Sequence, residues 1–233
     1  MRRVHSSNPV LARSRHYDEV SDTPITYGHV AIRTLFLLTV AVVSGLLTIQ
    51  QGQLNLGILF GAMIIGFIAV IVGTRSIRLA PFAGVIYALC EGVLLGFVSA
   101  LYEGLYDNIV ITAITTTALV FVIMLLLFST KVIKVNQKFA SFMVVALMAV
   151  IFMSLLVVLL PSVFGGALFM PVVIISSALS AFFLLLDFQS IQTSVESGMD
   201  QKVGWVLALG LMVTIVWIYI EMLRLLAVFS RNN

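Results

Sequence analysis

Charged residues are scarce in this sequence: Asp, Glu, Lys and Arg together make up 10% of its 233 residues, whereas 61% are hydrophobic. A soluble domain of this size needs more charge to cover its surface, so the composition excludes one. The mean hydropathy of +1.15 indicates a protein that crosses the membrane several times. The single cysteine, Cys90, excludes an intramolecular disulfide, and we interpret it as a small packing residue.

Several motifs of enzymes and cofactor sites are also missing. No lysine lies inside a predicted span, which excludes a retinal-type Schiff base, and the patterns of serine hydrolases, zinc proteases and phosphate-binding loops are absent. His5, His16 and His29 do not have the spacing of metal ligands. An intramembrane aspartyl protease needs two aspartates in its spans, and this sequence has one. We therefore expect no enzymatic activity, no cofactor and no metal site.

Seven apolar runs are long enough to cross a bilayer, which takes about 20 residues in a helix. We predict an all-α membrane protein with one transmembrane domain, residues 28–233, preceded by a polar cytoplasmic arm, residues 1–27. The connections between the runs are short and leave no room for a second domain. The predicted spans cover residues 29–50, 54–74, 80–103, 108–129, 138–160, 167–193 and 203–229.

The basic residues predict how the spans are oriented. If the arm is cytoplasmic, eleven lysines and arginines lie on the cytoplasmic side and two, Arg224 and Arg231, on the other. Cytoplasmic loops of membrane proteins carry such an excess of positive charge. An odd number of spans then places the C-terminus outside, unless the last run re-enters the membrane.

Small residues recur every fourth position in the third predicted span. A residue without a large side chain at each turn of one helix face lets a neighbouring helix approach closely. We therefore expect this span to pack tightly against another, although the pattern says nothing about chemistry. The residues are Gly84, Ala88, Gly92, Gly96 and Ala100.

Glu91 and Asp187 are acidic residues inside the third and sixth predicted spans. A charge in a membrane span costs about 2.5 to 3.5 kcal/mol, so both should face protein or water. Glu91 is near mid-membrane with Tyr87 one turn earlier, and it either ties helices together as a protonated acid or binds protons or cations. Asp187 shares a helix face with Ser180 and other serines, which either line a polar path or bond back to their own helix.

The last span carries three further polar side chains on one face, Thr214, Glu221 and Arg224. Thr214 lies at the same depth as Asp187 when both are counted from the same side of the membrane. Glu221 and Arg224 are three residues apart, so each can neutralise the other. They form either an internal ion pair or the outer end of a polar path.

Several stretches together resemble the Bax inhibitor family of seven-span proteins, in its bacterial YccA-like branch. The strongest are the E-G-x-x-L-G and D-F-x-x-I patterns, on the third and sixth spans. The resemblance covers about residues 26–229 and extends into the arm through an Asn-Pro element. The stretches are S-S-N-P-V-L at 6–11, T-Y-G-H-V-A-I-R-T at 26–34, Y-A-L-C-E-G-V-L-L-G at 87–96, L-L-L-D-F-Q-S-I-Q at 184–192 and W-I-Y-I-E-M-L-R-L-L at 217–226.

The resemblance implies a fold in which six helices surround the seventh, and a pH-sensitive leak of cations, calcium in particular. It also implies a gate of two carboxylates that share a proton near the cytoplasmic side. Asp187 matches the first of these acids. Either Thr214 or Glu221 matches the second, and depth in the membrane favours Thr214. Arg75 resembles a basic residue that the family uses as an inner latch.

We therefore expect a calcium leak channel in the plasma membrane of a bacterium, with Asp187 as its proton-sensitive group and Thr214 beside it. Arg75 or Arg78 would influence the charge of Asp187 from the inner ends of neighbouring spans. The main alternative is a non-conducting protein whose arm modulates a membrane-bound AAA protease. A secondary transporter is a third possibility, but the sequence lacks the paired broken helices of many transporters.

Overall fold

Seven long helices form the computed structural model, which describes residues 23–51, 56–160 and 168–231. Each helix is long and apolar enough to cross a membrane, which confirms the prediction of an all-α membrane protein. The predicted boundaries differ from the observed ones by at most three residues. The helices are α1 (Tyr27–Gln51), α2 (Leu56–Arg75), α3 (Ala80–Glu103), α4 (Ile109–Ser129), α5 (Gln137–Leu159), α6 (Phe169–Glu196) and α7 (Val203–Arg231).

Local signals at the chain turns account for several of these helix ends. A proline lies in the first turn of α3, where its missing N–H costs no hydrogen bond. Asn136 caps α5 by accepting a hydrogen bond from the Phe139 amide at 2.8 Å. Glu103 at the end of α3 accepts bonds from the amides of Asn108 and Val110, both at 2.9 Å, at the start of α4. These local features allow short connections between successive antiparallel helices.

Helix α7 is the centre of the bundle. It packs against α6, α1, α4, α3 and α2, and the side chains of Ala208, Leu209 and Met212 are fully buried. Helix α5 packs mainly against α6 and so joins the bundle from its outer side. The predicted central position of the last helix is confirmed: five of the six other helices contact α7, and α5 is held through α6.

The predicted ridge of small residues is where α3 meets α1. A Cβ on Gly92 would lie 2.6 Å from the Cβ of Ser44 and would also meet the carbonyl oxygen of Ala41. A Cβ on Gly96 would lie 2.6 Å from the carbonyl oxygen of Gly45. The two backbones are therefore in direct contact, which confirms the close approach expected from the sequence.

The first described residues pair with the connection between α6 and α7. The amide of Ile25 donates to the Met199 carbonyl at 2.8 Å, and the amide of Gln201 donates to the Thr23 carbonyl at 3.0 Å. Arg33 reinforces this contact, because its guanidinium group donates to the Gln201 carbonyl. We call this pairing of residues 23–25 with 199–201 the clasp. Residues 1–22, which make up most of the predicted arm, lie outside the described residues.

Candidate functional site

Polar side chains of α6 and α7 face each other at two separate levels along the antiparallel helix pair. We call the first level the Asp187–Thr214 pair. We call the second level the Glu221 cluster, which consists of Ser176, Trp217, Glu221 and Arg224. Ser176, Thr214 and Glu221 are buried, whereas Asp187, Trp217 and Arg224 are partly exposed.

The Asp187–Thr214 pair joins an acid to a hydroxyl. Thr214 is only 7% exposed, and its side chain interacts with the Asp187 carboxyl. The Thr214 hydroxyl also makes a long contact of 3.4 Å with the Gly210 carbonyl of its own helix. The Oδ2 atom of Asp187 is buried, and it has no hydrogen-bond partner among the described residues. One oxygen of this carboxyl therefore receives no hydrogen bond from the described residues.

The structure separates Glu221 from Asp187. Glu221 lies seven residues beyond Thr214, which is about 10 Å along a helix. Its hydrogen-bond partner on α6 is Ser176, eleven residues before Asp187. The two acids therefore belong to different levels of the bundle. This register places Thr214, rather than Glu221, beside Asp187.

The Glu221 cluster is a nearly saturated hydrogen-bond network. Glu221 is 3% exposed, and its Oε1 atom accepts hydrogen bonds from the Ser176 hydroxyl at 2.7 Å and from the Trp217 indole at 3.3 Å. Arg224 supplies the counter-charge at 3.1 Å from Oε1 and 3.4 Å from Oε2. A buried charge is tolerated when it is paired and hydrogen-bonded in this way. The cluster also ties α6 to α7 through Ser176.

Glu91 lies on another helix and belongs to neither level. It interacts with the Tyr87 side chain one turn earlier on α3, and Tyr87 itself is 7% exposed. Glu91 makes no hydrogen bond to Asp187 or Glu221 within the described ranges. The expected neighbourhood of Tyr87 and Glu91 is therefore present, as a contact within one helix.

Most serines of α6 bond back to their own helix. Ser180 is fully buried, and its hydroxyl donates to the Ser177 carbonyl at 2.8 Å. Ser190 and Ser194 also donate to carbonyls of α6, at 2.8 Å each. Ser176 differs, because it reaches across to Glu221. The serine stripe is therefore mainly a feature of the helix backbone, and only its first member helps to build the candidate site.

Spacing along the helices places Ser176 on the polar face of α6 and Trp217 on that of α7, but it did not pair either residue with Glu221. Trp217 carried a usable signal, since it lies four residues before Glu221 and thus on the same helix face. Ser176 carried a weaker one, because its role depends on the register between α6 and α7. A further cross-helix bond joins Ser99 of α3 to Tyr219 of α7 at 2.7 Å between their hydroxyl oxygens.

The arginines expected to influence Asp187 lie at a helix turn. Arg75 is the last residue of α2 and Arg78 lies in the turn before α3, and both side chains are exposed. Neither forms an ion pair with Asp187 in residues 23–51, 56–160 and 168–231. Those ranges also contain no group of three or more His, Cys, Asp and Glu side chains that could hold a metal ion.

Comparison with known proteins places this seven-helix bundle in a family. A family model described as Bax inhibitor 1 like matches residues 8–231, nearly the whole chain. A search among curated proteins finds no match. The matched range includes all seven helices and both polar levels of α6 and α7. The chain therefore belongs to the Bax inhibitor 1 like family of membrane proteins.

Proposed function

We propose that this protein is a pH-sensitive cation leak channel that passes calcium, and that protonation of Asp187 closes it. The observation that carries the proposal is the buried Oδ2 atom of Asp187, which lacks a hydrogen-bond partner in the described structure. Family membership and the seven spans support a transport role in a bilayer. The resemblance to the YccA-like branch supports calcium as the permeant ion and a bacterial plasma membrane as the location.

The chemistry of the Asp187–Thr214 pair supports gating by a proton. A protonated carboxyl is neutral and can stay dry between α6 and α7. A carboxylate with one hydroxyl as its neighbour lacks enough partners, since buried charges need counter-charges or several hydrogen bonds. Loss of the proton would therefore draw water or a cation into the interface. Flux should consequently rise with pH as Asp187 becomes charged.

The other polar side chains have supporting roles in this proposal. Arg224 already balances the charge of Glu221, so the Glu221 cluster forms a fixed outer end of the path. Tyr87 and Glu91 are a mid-membrane polar element on α3, which packs against α7. Arg75 and Arg78 make no ion pair with Asp187 in the described ranges, and we therefore leave them out of the gate.

Calcium entry into liposomes tests the role of Asp187. The purified protein is reconstituted into vesicles that contain a calcium-sensitive dye, and the initial rate of entry is measured from mildly acidic to mildly alkaline pH. The wild-type rate should rise with pH, whereas Asp187→Asn should give a rate that does not change with pH. Asp107→Asn makes the same chemical change at an exposed loop position and should behave like the wild type.

Two results would contradict the proposal. A normal pH response in Asp187→Asn would remove Asp187 from the gate. Absence of wild-type flux at every pH would remove the channel itself and favour the non-conducting interaction protein. Deletion of residues 1–22, which make up most of the arm, would then test whether the arm binds a membrane protease.

A further inference from the structure

An apolar cavity of about 340 Å³ opens on the outer surface of the bundle between α2 and α3. We call it the α2–α3 groove. Its lining side chains face outwards, since Ile68 is 55% and Phe82 is 72% exposed. In a bilayer this surface meets lipid. The residues that form its walls include Ile65, Ile68 and Val72 on the α2 side and Leu79, Phe82 and Ile86 on the α3 side.

Small residues at the floor of the groove explain its shape. A Cβ on Gly73 would lie 3.1 Å from the Cβ of Ala83, so the two helices touch near the turn that joins them. Ala69 and Ala83 are almost fully buried at this floor. The larger side chains stand on either side, and they leave a channel between them that can take a hydrocarbon chain.

Two arginines lie at one end of the groove. Arg75 is three residues after Val72 and thus continues the same face of α2 by one turn. Arg78 directly precedes Leu79, which lines the groove. Both guanidinium groups are exposed, and neither has an ion-pair partner in the part of the chain that the structure describes. An apolar groove that ends in two unpaired cations matches the form of a lipid with an anionic headgroup.

We propose that the α2–α3 groove binds an acyl chain of an anionic phospholipid whose phosphate pairs with Arg75 and Arg78. Guanidinium groups match phosphate oxygens in charge and in hydrogen-bond geometry. Basic residues at the membrane surface next to a gap between helices are a suitable site for such headgroups. A second copy of this chain fits less well, because a partner helix would have to bring acidic residues to the same rim. This lipid site does not depend on the proposed channel.

Native mass spectrometry of the full-length protein in detergent tests headgroup recognition. Phosphatidylglycerol and phosphatidylcholine with identical acyl chains are added separately, and the bound fraction is measured for each. The wild type should bind phosphatidylglycerol more tightly. The double variant Arg75→Gln/Arg78→Gln should lose on the order of tenfold in affinity for phosphatidylglycerol and keep its affinity for phosphatidylcholine.

Matched variants separate a specific site from a general effect of charge. Lys131→Gln/Lys134→Gln removes the same charge from the α4–α5 connection and should bind phosphatidylglycerol as the wild type does. An equal loss in this control would overturn the proposal. Arg75→Lys/Arg78→Lys keeps the charge and should retain a preference for phosphatidylglycerol. Loss of that preference in the lysine variant as well would contradict recognition by charge.

Photo-crosslinking tests whether the acyl chain lies in the groove. Phosphatidylglycerol with a photoreactive group on its acyl chain should label peptides from Leu56–Arg75 and Ala80–Glu103, and excess unlabelled phosphatidylglycerol should reduce the labelling. Labelling spread evenly over all seven helices would contradict the groove. Equal competition by glycerol phosphate would show a site for the free headgroup alone. A dimer without bound lipid would assign the surface to a second copy of the chain, and both results would overturn the proposal.

Discussion

Asp187 and Glu221 are both acids on the facing helices α6 and α7, but their surroundings differ in a decisive way. Glu221 has a hydroxyl, an indole N–H and an arginine as partners. Asp187 has Thr214 beside it, and one buried oxygen has no partner among the described residues. A carboxyl with a full set of donors is fixed in place. A carboxyl with few donors responds to protons and cations, which is why the proposed gate is placed at Asp187.

Neutralising Glu221 should destabilise the protein. Glu221→Gln removes the counter-charge of Arg224, and breaking a partly buried ion pair of this kind costs about 2 kcal/mol. Arg224→Gln should cost a comparable amount, and the double variant should cost less than the sum of the two. Unfolding in detergent, followed by helical circular dichroism, measures these differences. Strictly additive effects would mean that the ion pair contributes nothing.

A second acid beside Asp187 should move the pH response. Thr214→Asp would place two carboxyls next to each other, and their repulsion would keep one proton bound to a higher pH. The midpoint of calcium flux against pH should therefore shift upwards. Thr214→Val, which has nearly the same shape as threonine but no hydroxyl, is the control for packing. An unchanged or lower midpoint in Thr214→Asp would contradict the proximity of the two side chains in the working protein.

The polar residues of this site were visible in the sequence, but their partners were only partly so. Spacing along one helix indicates that Glu221 can meet Arg224, because three residues make nearly one turn. It does not tell which residue of α6 faces which residue of α7. That register left Thr214 and Glu221 as alternatives beside Asp187, and it also concealed Ser176 as a partner of Glu221.

At the scale of helices, the contact between α1 and α3 depends on the absence of side chains. Gly92→Ala should destabilise the protein by about 1–3 kcal/mol, because the new Cβ would meet the Ala41 carbonyl oxygen and the Ser44 Cβ. Gly61→Ala is the matched control, since a Cβ there meets nothing within 4 Å. Alanine also favours a helix over glycine. Thermal unfolding compares the stability of the two variants. Equal stability of Gly92→Ala and Gly61→Ala would contradict the backbone contact between α1 and α3.

The helices were predicted well because a span has a length set by the bilayer, and a run of apolar residues of that length is hard to miss. The exact ends of the helices depend on local hydrogen bonds, which the hydropathy does not show. The carboxylate of Glu103 links α3 to α4, for example, by accepting bonds from two amides of the next helix. The clasp was not predicted, because pairing of residues 23–25 with 199–201 depends on contacts between distant parts of the chain.

At the scale of the whole molecule, the positive charges predict a cytoplasmic arm and an external C-terminus. Single cysteines introduced into a Cys90→Ala background test this orientation. Asp107→Cys, between α3 and α4, should react with an impermeant maleimide added to intact cells. Lys134→Cys, between α4 and α5, should react only after the membrane is opened. The reverse pattern would invert the topology and place the Asp187–Thr214 pair nearer the external side.

The clasp also has a consequence for the order in which the protein is made. Arg33 and its acceptor Gln201 are 168 residues apart in the chain. Residues 199–201 leave the ribosome only after six of the seven spans have been synthesised. Residues 23–25, which precede α1, therefore lack their hydrogen-bond partners, residues 199–201, for most of translation. The clasp can therefore close only after the sixth span has been synthesised, and it then joins the first span to the connection before the last.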